Sequence, residues 1–409
     1  MAKLYPQSKS MKPKRFFVAV GLLALAFFSS AVLGQEDGRV LVEADTVYTM
    51  DGKTFSPGKV LIEDGKIAAV GEQIRISGQA PKHIKLGEGS VLMPGLVDAY
   101  SQTALGDGGS NEISKEVTAN FKAVHSVDWE KPALRRQLAN GTTTMCVCPG
   151  TQSVISGVAA MVKTADVEGA ILNDDGPLVA AMCSDPASGN RSRSRPDSIY
   201  VRQPTNRMGV VWILRNTLNK ARGDESPELG NVREALDGKR PMMMFARVSY
   251  DLSTIATLAD EFDFSPIVVG GQEAHKITEL LVERKYPVVL QRIDVGTTSG
   301  PERSELCWNT AGVLADAGVT IALSGDDLLT QAQFAVRHGL DRETALEAIT
   351  STPAKILGIA DRVGSIAVGS DADLIALTGD PLELTTSISW VMINGKVASG
   401  TAPNKNTKE

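Results

Sequence analysis

Metal or acid–base chemistry in this chain has few residues to draw on: four histidines, His83, His125, His275 and His338, and four cysteines, Cys146, Cys148, Cys183 and Cys307, in 409 residues. His83 falls in a β-rich stretch. His338 stands just ahead of Gly339 at the end of a helical pattern, where an imidazolium complements the helix dipole. Both read as structural. His275, in Gln272-Glu273-Ala274-His275, opens a helical pattern after a strand and is a candidate to face a strand-end pocket, as is His125 in a long loop. Cys146 and Cys148 alternate on a strand pattern, so both thiols share one face. They suit packing as small apolar groups or, alternatively, a Cys-x-Cys metal site. The cysteine spacing is not a disulfide framework. Arg191, Arg193 and Arg195, with Arg202 and Arg207 beyond, invite a phosphate- or carboxylate-binding reading, against which stands a solvated loop. No aromatic residues interleave with them, so nucleic acid is not an expected partner.

The elements that must position these groups are legible in outline. A formal charge of −6 is mild for the length and argues against polyanions or anionic membranes as partners. Lys12, Lys14 and Arg15 precede the uncharged run Phe16 to Phe28 and the small residues up to Ala31 and Gly34, the pattern of an export signal over residues 1–34. The expected location is periplasmic or extracellular, with no membrane association after signal removal. Two segments far apart look alike, Val60 to Gly71 with Asp64-Gly65, and Trp390 to Ala398 with Asn394-Gly395. Each predicts a β-hairpin, and a lone hairpin is marginal in water, so the two ends are expected to build one small β unit. Between them, strand patterns at Val91 to Ala99, Thr142 to Cys148, Val158 to Val162, Leu178 to Cys183, Met242 to Val248, Ile267 to Val269, Val288 to Leu290 and Thr320 to Leu323 are separated by helical patterns or long loops. The expected fold is therefore α/β: a (β/α)8 TIM-like barrel over residues 93–361, with a discontinuous β-sandwich from residues 36–92 and 362–399 and a polar tail over 400–409. A doubly wound sheet is the alternative, but no Gly-x-Gly-x-x-Gly loop joins a strand to a helix.

The stretch Leu92-Met93-Pro94-Gly95-Leu96-Val97-Asp98-Ala99 and the run from Asp361 to Leu374 resemble the amidohydrolase superfamily, and more particularly its imidazolonepropionase-related branch. Thr142-Thr143-Thr144, Pro149-Gly150 and Arg207-Met208-Gly209 extend the similarity over nearly all of residues 36–399, and Asn111 and Glu112 also match that branch. The resemblance implies a hydrolase of non-peptide carbon–nitrogen bonds using zinc or iron. Its metal-binding histidines are missing here. Tyr100 and Gln102 stand at the His-x-His of the first strand, Phe245 and Arg247 at the ligands of the fifth, and Gly270 at that of the sixth. Asp326, or its neighbour Asp327, fills the place of the acidic residue ending the last strand. A lone carboxylate does not hold a catalytic metal, so no cofactor is expected. Asp326 is then a vestigial catalytic residue, and Tyr100, Gln102, Arg247, His275 and Asp327 are the candidate binding residues, with Arg247 expected to pair with Asp326 or Asp327 across the mouth.

Three functions follow: a degenerate hydrolase that binds a small molecule or partner in its old pocket, a working hydrolase with a rewired site, or a non-catalytic subunit of an intact relative. The expected assembly is a homodimer, or a heterodimer with an intact amidohydrolase.

Overall fold

The computed structural model describes residues 38–106, 110–188, 203–291, 302 and 307–402. The expected export signal, the arginine–serine repeat with Arg202, and the tail beyond residue 402 lie outside them. The chain opens with seven strands: β1 (Arg39–Ala44), β2 (Thr46–Tyr48), β3 (Thr54–Phe55), β4 (Gly58–Glu63), β5 (Lys66–Gly71), β6 (Lys82–Lys85) and β7 (Val91–Pro94). After Gly95 come β8 (Leu96–Ser101), α1 (Pro132–Ala139), β9 (Thr142–Val147), β10 (Ile155–Val158), β11 (Ala160–Lys163), β12 (Ile171–Asn173) and β13 (Leu178–Ala181). Helices then alternate with strands: α2 (Arg207–Gly223), α3 (Gly230–Leu236), β14 (Met242–Ala246), α4 (Ser249–Phe262), β15 (Pro266–Gly270), α5 (Thr278–Arg284), β16 (Val288–Gln291), α6 (Thr310–Asp316) and β17 (Ile321–Ser324). Finally α7 (Leu328–Arg337), α8 (Arg342–Glu347) and α9 (Ser351–Ile356) lead to β18 (Leu374–Leu377), β19 (Ile388–Ile393) and β20 (Lys396–Gly400).

Strands from the two ends of the chain share a sheet ordered β20-β19-β18-β7-β2-β3, beside a second sheet ordered β5-β4-β1-β6. Val42, Val60, Ile62 and Ile67 of one sheet and Leu92, Trp390 and Met392 of the other close on a common apolar core. Both hairpins turn through left-handed Asp64-Gly65 and Asn394-Gly395 pairs, whose twist matches the flanking strands. The run Val91 to Ser101 serves two sheets, because β7 pairs with β18 and β2 while β8 pairs with β9. Gly95 is the crossing point, where a Cβ would overlap the side chain of Thr143.

In the α/β body, β13 to β17 run parallel in sequence order, and β8 runs parallel to β9. The third strand pattern departs from a βα repeat. It is split at Ala159 into β10, antiparallel to β13, and β11, antiparallel to β9. The cause is the short connection from β9, residues 148–154: a parallel return needs a dozen or more residues, a hairpin-like return does not. One segment thus serves both sheets of the body, as the edge strand β10 of one and, in β11, between β9 and β12 of the other. On the far side, Ser324 of β17 donates its Oγ hydrogen to Asp98 Oδ1 or Tyr100 O of β8, each 2.6 Å away. Alternate residues of the strands, among them Val97, Cys146, Val179, Met243, Val269 and Ala322, pack with one another. The opposite face, with Met244 and Val268, packs on the helices.

At the N-terminal end of the body strands, Lys163 is wholly buried and donates to Asp371 Oδ2 at 2.9 Å and Asp373 Oδ2 at 2.5 Å. Lys66 Nζ and Arg362 also reach Asp371, at 2.5 and 2.9 Å. This cluster ties the β unit to the body. Burial would raise the Asp371 carboxyl, but Lys66 and Lys163 hold it below its usual range, whereas burial pushes Asp373 up despite Lys163.

Candidate functional site

Arg247 follows directly on β14, and its guanidinium lies at the C-terminal ends of the strands. It forks onto Asp185, with Nη1–Oδ1 at 2.9 Å and Nη2–Oδ2 at 2.8 Å, and reaches Glu302 Oε2 at 3.0 Å. Asp185 sits just beyond β13, and Thr151 Oγ1 donates to its Oδ2 at 2.6 Å. Glu302 also accepts from the Ser184 amide. The guanidinium rests over the Phe245 ring, 4.7 Å from its centroid, and that ring packs against Tyr100 at 5.9 Å. Burial alone would raise Asp185, but Arg247 and Thr151 outweigh it and hold the carboxyl low. Burial likewise opposes the charge on Arg247, yet the same Asp185 contact leaves it more firmly protonated than usual.

A second ion pair stands beside the first. Arg207, at the first turn of α2, bonds Asp251 of α4 and covers the Tyr250 ring at 4.1 Å. Asp251 is fully buried and its Oδ2 has no partner among the described residues. Burial pushes its carboxyl up to about 7 against the pull of Arg207, with Glu302 adding to the rise. Glu273 accepts from Ser249 N at 2.9 Å and Oγ at 3.0 Å and pairs with Lys276 at 3.2 Å. Deeper between the strands the lining is buried. Burial pushes Asp98 up to about 7 and raises the Tyr100 phenol and the Cys148 thiol well above their usual ranges. Cys146 and Cys148 share one face, with their sulfurs 3.6 Å apart.

The structure brings together three of the positions singled out in the sequence: Tyr100, Gln102, whose Nε2 approaches the Tyr100 hydroxyl at 3.4 Å, and Arg247. It corrects the expected pairing of Arg247 with Asp326 or Asp327. Beyond Gly325 the chain turns so that Asp326 is exposed and accepts from Gln137 Nε2 at 3.1 Å and Thr103 Oγ1 at 3.5 Å. Asp327 is the N-cap of α7, accepting from Thr330 N at 3.1 Å and Oγ1 at 2.7 Å. Arg247 instead takes the carboxylate beside the adjoining strand. His275 lies on a 3-10 turn with its Nδ1 3.2 Å from Thr310 Oγ1, against the start of α6. His338 ends α7 between Phe334 and Trp308. Asp185, Asp251 and Glu302 went unrecognised in the sequence. Asp185 had a signal, an acidic residue directly after the strand pattern Leu178 to Cys183; Glu302 had none.

The residues at the metal position implied by the resemblance do not fit a divalent cation. A buried phenol held neutral, an amide bonded to it, a phenyl ring, a guanidinium and a glycine offer no set of anionic or imidazole donors. Among the described residues no group of three or more His, Cys, Asp or Glu is placed to hold a metal, and no helix is long and apolar enough to cross a membrane.

An α/β body with helices on one face of its strands, a β unit from both chain ends and a cluster of functional groups at the C-terminal strand ends is an amidohydrolase-type arrangement. The comparisons agree. Residues 307–398 match the family model described as Amidohydrolase family. An amidohydrolase crystal structure from Thermotoga maritima MSB8 superposes with a TM-score of 0.80 at 29% identity, covering 88% of this chain and 100% of that one. Amidohydrolase tasK of Hapsidospora irregularis is 25% identical over 83% of this chain and 39% of its own length. Adenine deaminase 2 of Shouchella clausii (strain KSM-K16) is 23% identical over 83% of this chain and 56% of its own length. The chain thus spans well under two thirds of these two curated relatives. Together the matches show that most of the chain is similar to amidohydrolases.

Proposed function

We propose that this chain keeps the amidohydrolase scaffold, as a closed eight-strand barrel of the imidazolonepropionase-related kind, but works without a metal, as a binding or partner protein rather than a hydrolase. The observation that carries this reading is Arg247. At a position where the resemblance calls for a metal ligand stands a permanently charged group with no lone pair to give, neutralised by Asp185 and Glu302. A guanidinium there offers no lone pair to a divalent cation, and it already engages the two nearest carboxylates itself. Without a metal, an attacking water stays near its bulk pKa of about 16 instead of about 7, a cost on the order of 12 kcal/mol in forming hydroxide. Neighbouring side chains do not offset a term of that size.

The test is elemental analysis of the purified protein together with ammonia release from adenine, the substrate class named for one relative. The expected result is zinc, iron and manganese each well below one per chain and no turnover above the uncatalysed rate. Stoichiometric metal that is lost in Asp326→Ala overturns the reading. Turnover would favour the second reading, a hydrolase with a rewired site, for which the 29% identity over the whole length of the Thermotoga protein is the supporting observation. The export signal would place either role outside the cytoplasm. Mass mapping of the N-terminus from the native host is expected to find a mature start near Val32 or Gln35.

A further inference from the structure

Beside the ion-paired strand ends lies a cavity of about 400 Å³ that uses none of Tyr100, Gln102, Phe245 or Arg247. Its walls are built rather than incidental. Residues 117–122 run along β10 as an added edge, with Thr118 N bonded to Ile155 O at 2.8 Å and Val158 N to Phe121 O at 2.7 Å. That approach requires Gly157, where φ is +128° and a Cβ would overlap the Phe121 carbonyl. The floor is Leu105 and Pro149, and the Phe121 ring, 51% exposed, forms a flat wall. Asn111 and His125, two residues whose roles the sequence left open, meet at this same cavity, and His125 is exposed. Both charged lining groups already have partners: Glu112 Oε1 accepts from Ser114 N at 2.8 Å, and Lys122 lies 3.2 Å from Asp175 and 3.7 Å from Asp174.

We infer that this cavity binds a small, uncharged, planar heteroaromatic molecule. Its volume falls in the range of small-molecule sites, about 300–1,000 Å³, and its residues Leu105 and Pro149 follow on β8 and β9. An apolar floor and an exposed phenyl face favour a flat ring stacked on Phe121. The polar edge is amide, hydroxyl and imidazole: Asn111 and Asn120 are oriented by bonds to Gln152 N and Pro227 O, each at 3.0 Å, and the exposed His125 imidazole reads ring nitrogens and N–H groups. A ligand carrying net charge would find Glu112 and Lys122 engaged by the protein itself. The inference stands whether or not hydrolysis survives at Arg247.

The full chain is titrated by ligand-observed NMR with indole and 2-aminopyrimidine, and with benzoate and benzylammonium as charged counterparts. At least one uncharged probe is expected to bind at least tenfold more tightly than either charged one. Phe121→Ala, at a half-exposed position that leaves the core intact, is expected to weaken binding roughly tenfold, and His125→Ala to weaken it less. Arg247→Met is expected to leave it unchanged. No binding by either uncharged probe at millimolar concentration overturns the inference. So does equal binding of the charged probes, or loss of binding in Arg247→Met with none in Phe121→Ala, which would put the ligand in the vacated metal site.

Discussion

Lys163 at one end of the body strands and Arg247 at the other each hold two carboxylates, in opposite settings. The Lys163 side chain is 0% exposed and its aspartates, Asp371 and Asp373, are 2% and 3% exposed; Arg247 is 23% exposed and Asp185 26%. Around Lys163 gather Lys66 and Arg362, so cations outnumber carboxylates. Around Arg247 gather Glu302, Asp251 and Glu273 against Arg207 and Lys276, so carboxylates prevail. The first cluster joins two remote parts of the chain, and its two carboxylates and Lys163 are shut from water while Lys66 and Arg362 reach in from the surface. The second joins strand ends and a loop at an open face, and holds its surplus by keeping one carboxyl, Asp251, partly protonated near neutrality. A sealed cluster of this kind secures architecture; an open one with a titrating member remains adjustable.

Breaking the sealed end should cost most. Lys163→Met leaves buried Asp373 without its cation, while Asp371 keeps Lys66 and Arg362, and is expected to lower stability by about 3–5 kcal/mol in urea unfolding. A loss below about 1 kcal/mol would show that water reaches the cluster. Next in size is Arg247→Met, which strands the partly exposed Asp185 beside buried Glu302, for an expected loss of about 2–3 kcal/mol at pH 7.5 that shrinks in acid as Asp185 protonates. A pH-independent loss would mean that packing on Phe245, not charge, is what Arg247 supplies.

The two ends should also differ in the sign of their pH response. Asp251 has a folded pKa near 7, above the unfolded value of about 3.9. The native state therefore binds more protons between these values, and this group's contribution falls as pH rises through that window. Asp251→Asn is expected to flatten that fall, gaining on the order of 4 kcal/mol at pH 8 relative to pH 4. Asp371 is depressed, so its contribution is present above about pH 4 and lost as pH falls through its folded value. Asp371→Asn should weaken the protein at pH 7 and not in strong acid. Equal slopes in both variants would erase the contrast. The smallest effects test the reassigned aspartates: Asp327→Ala should cost about 1 kcal/mol as a lost N-cap, and exposed Asp326→Ala less than about 0.5 kcal/mol.

The hairpins at Asp64-Gly65 and Asn394-Gly395, the strand patterns and the shared face of Cys146 and Cys148 were legible because each depends on local φ preference or period-two patterning. The antiparallel β10 and β11 were legible too, had the short link of residues 148–154 been weighed. Asp327-x-x-Thr330 carries an N-cap signature that its resemblance to a site residue obscured. The partner of Arg247 was not legible. Which carboxylate a guanidinium meets depends on how the chain turns after Gly325 and on where Glu302 lies, and neither leaves a trace in periodicity.

The crossing at Gly95 bears on how the protein assembles during synthesis. β7 has a local neighbour in β2, but its other edge waits for β18, where Pro94 pairs with Leu374. At about 5–20 residues per second the ribosome delivers that partner roughly 15–60 s later. Through that interval the edge carrying Val91, Leu92 and Met93 is unpaired and open to mispairing with other nascent strands. The same continuous run also starts the body through β8, so a mistake in the first sheet is passed into the second.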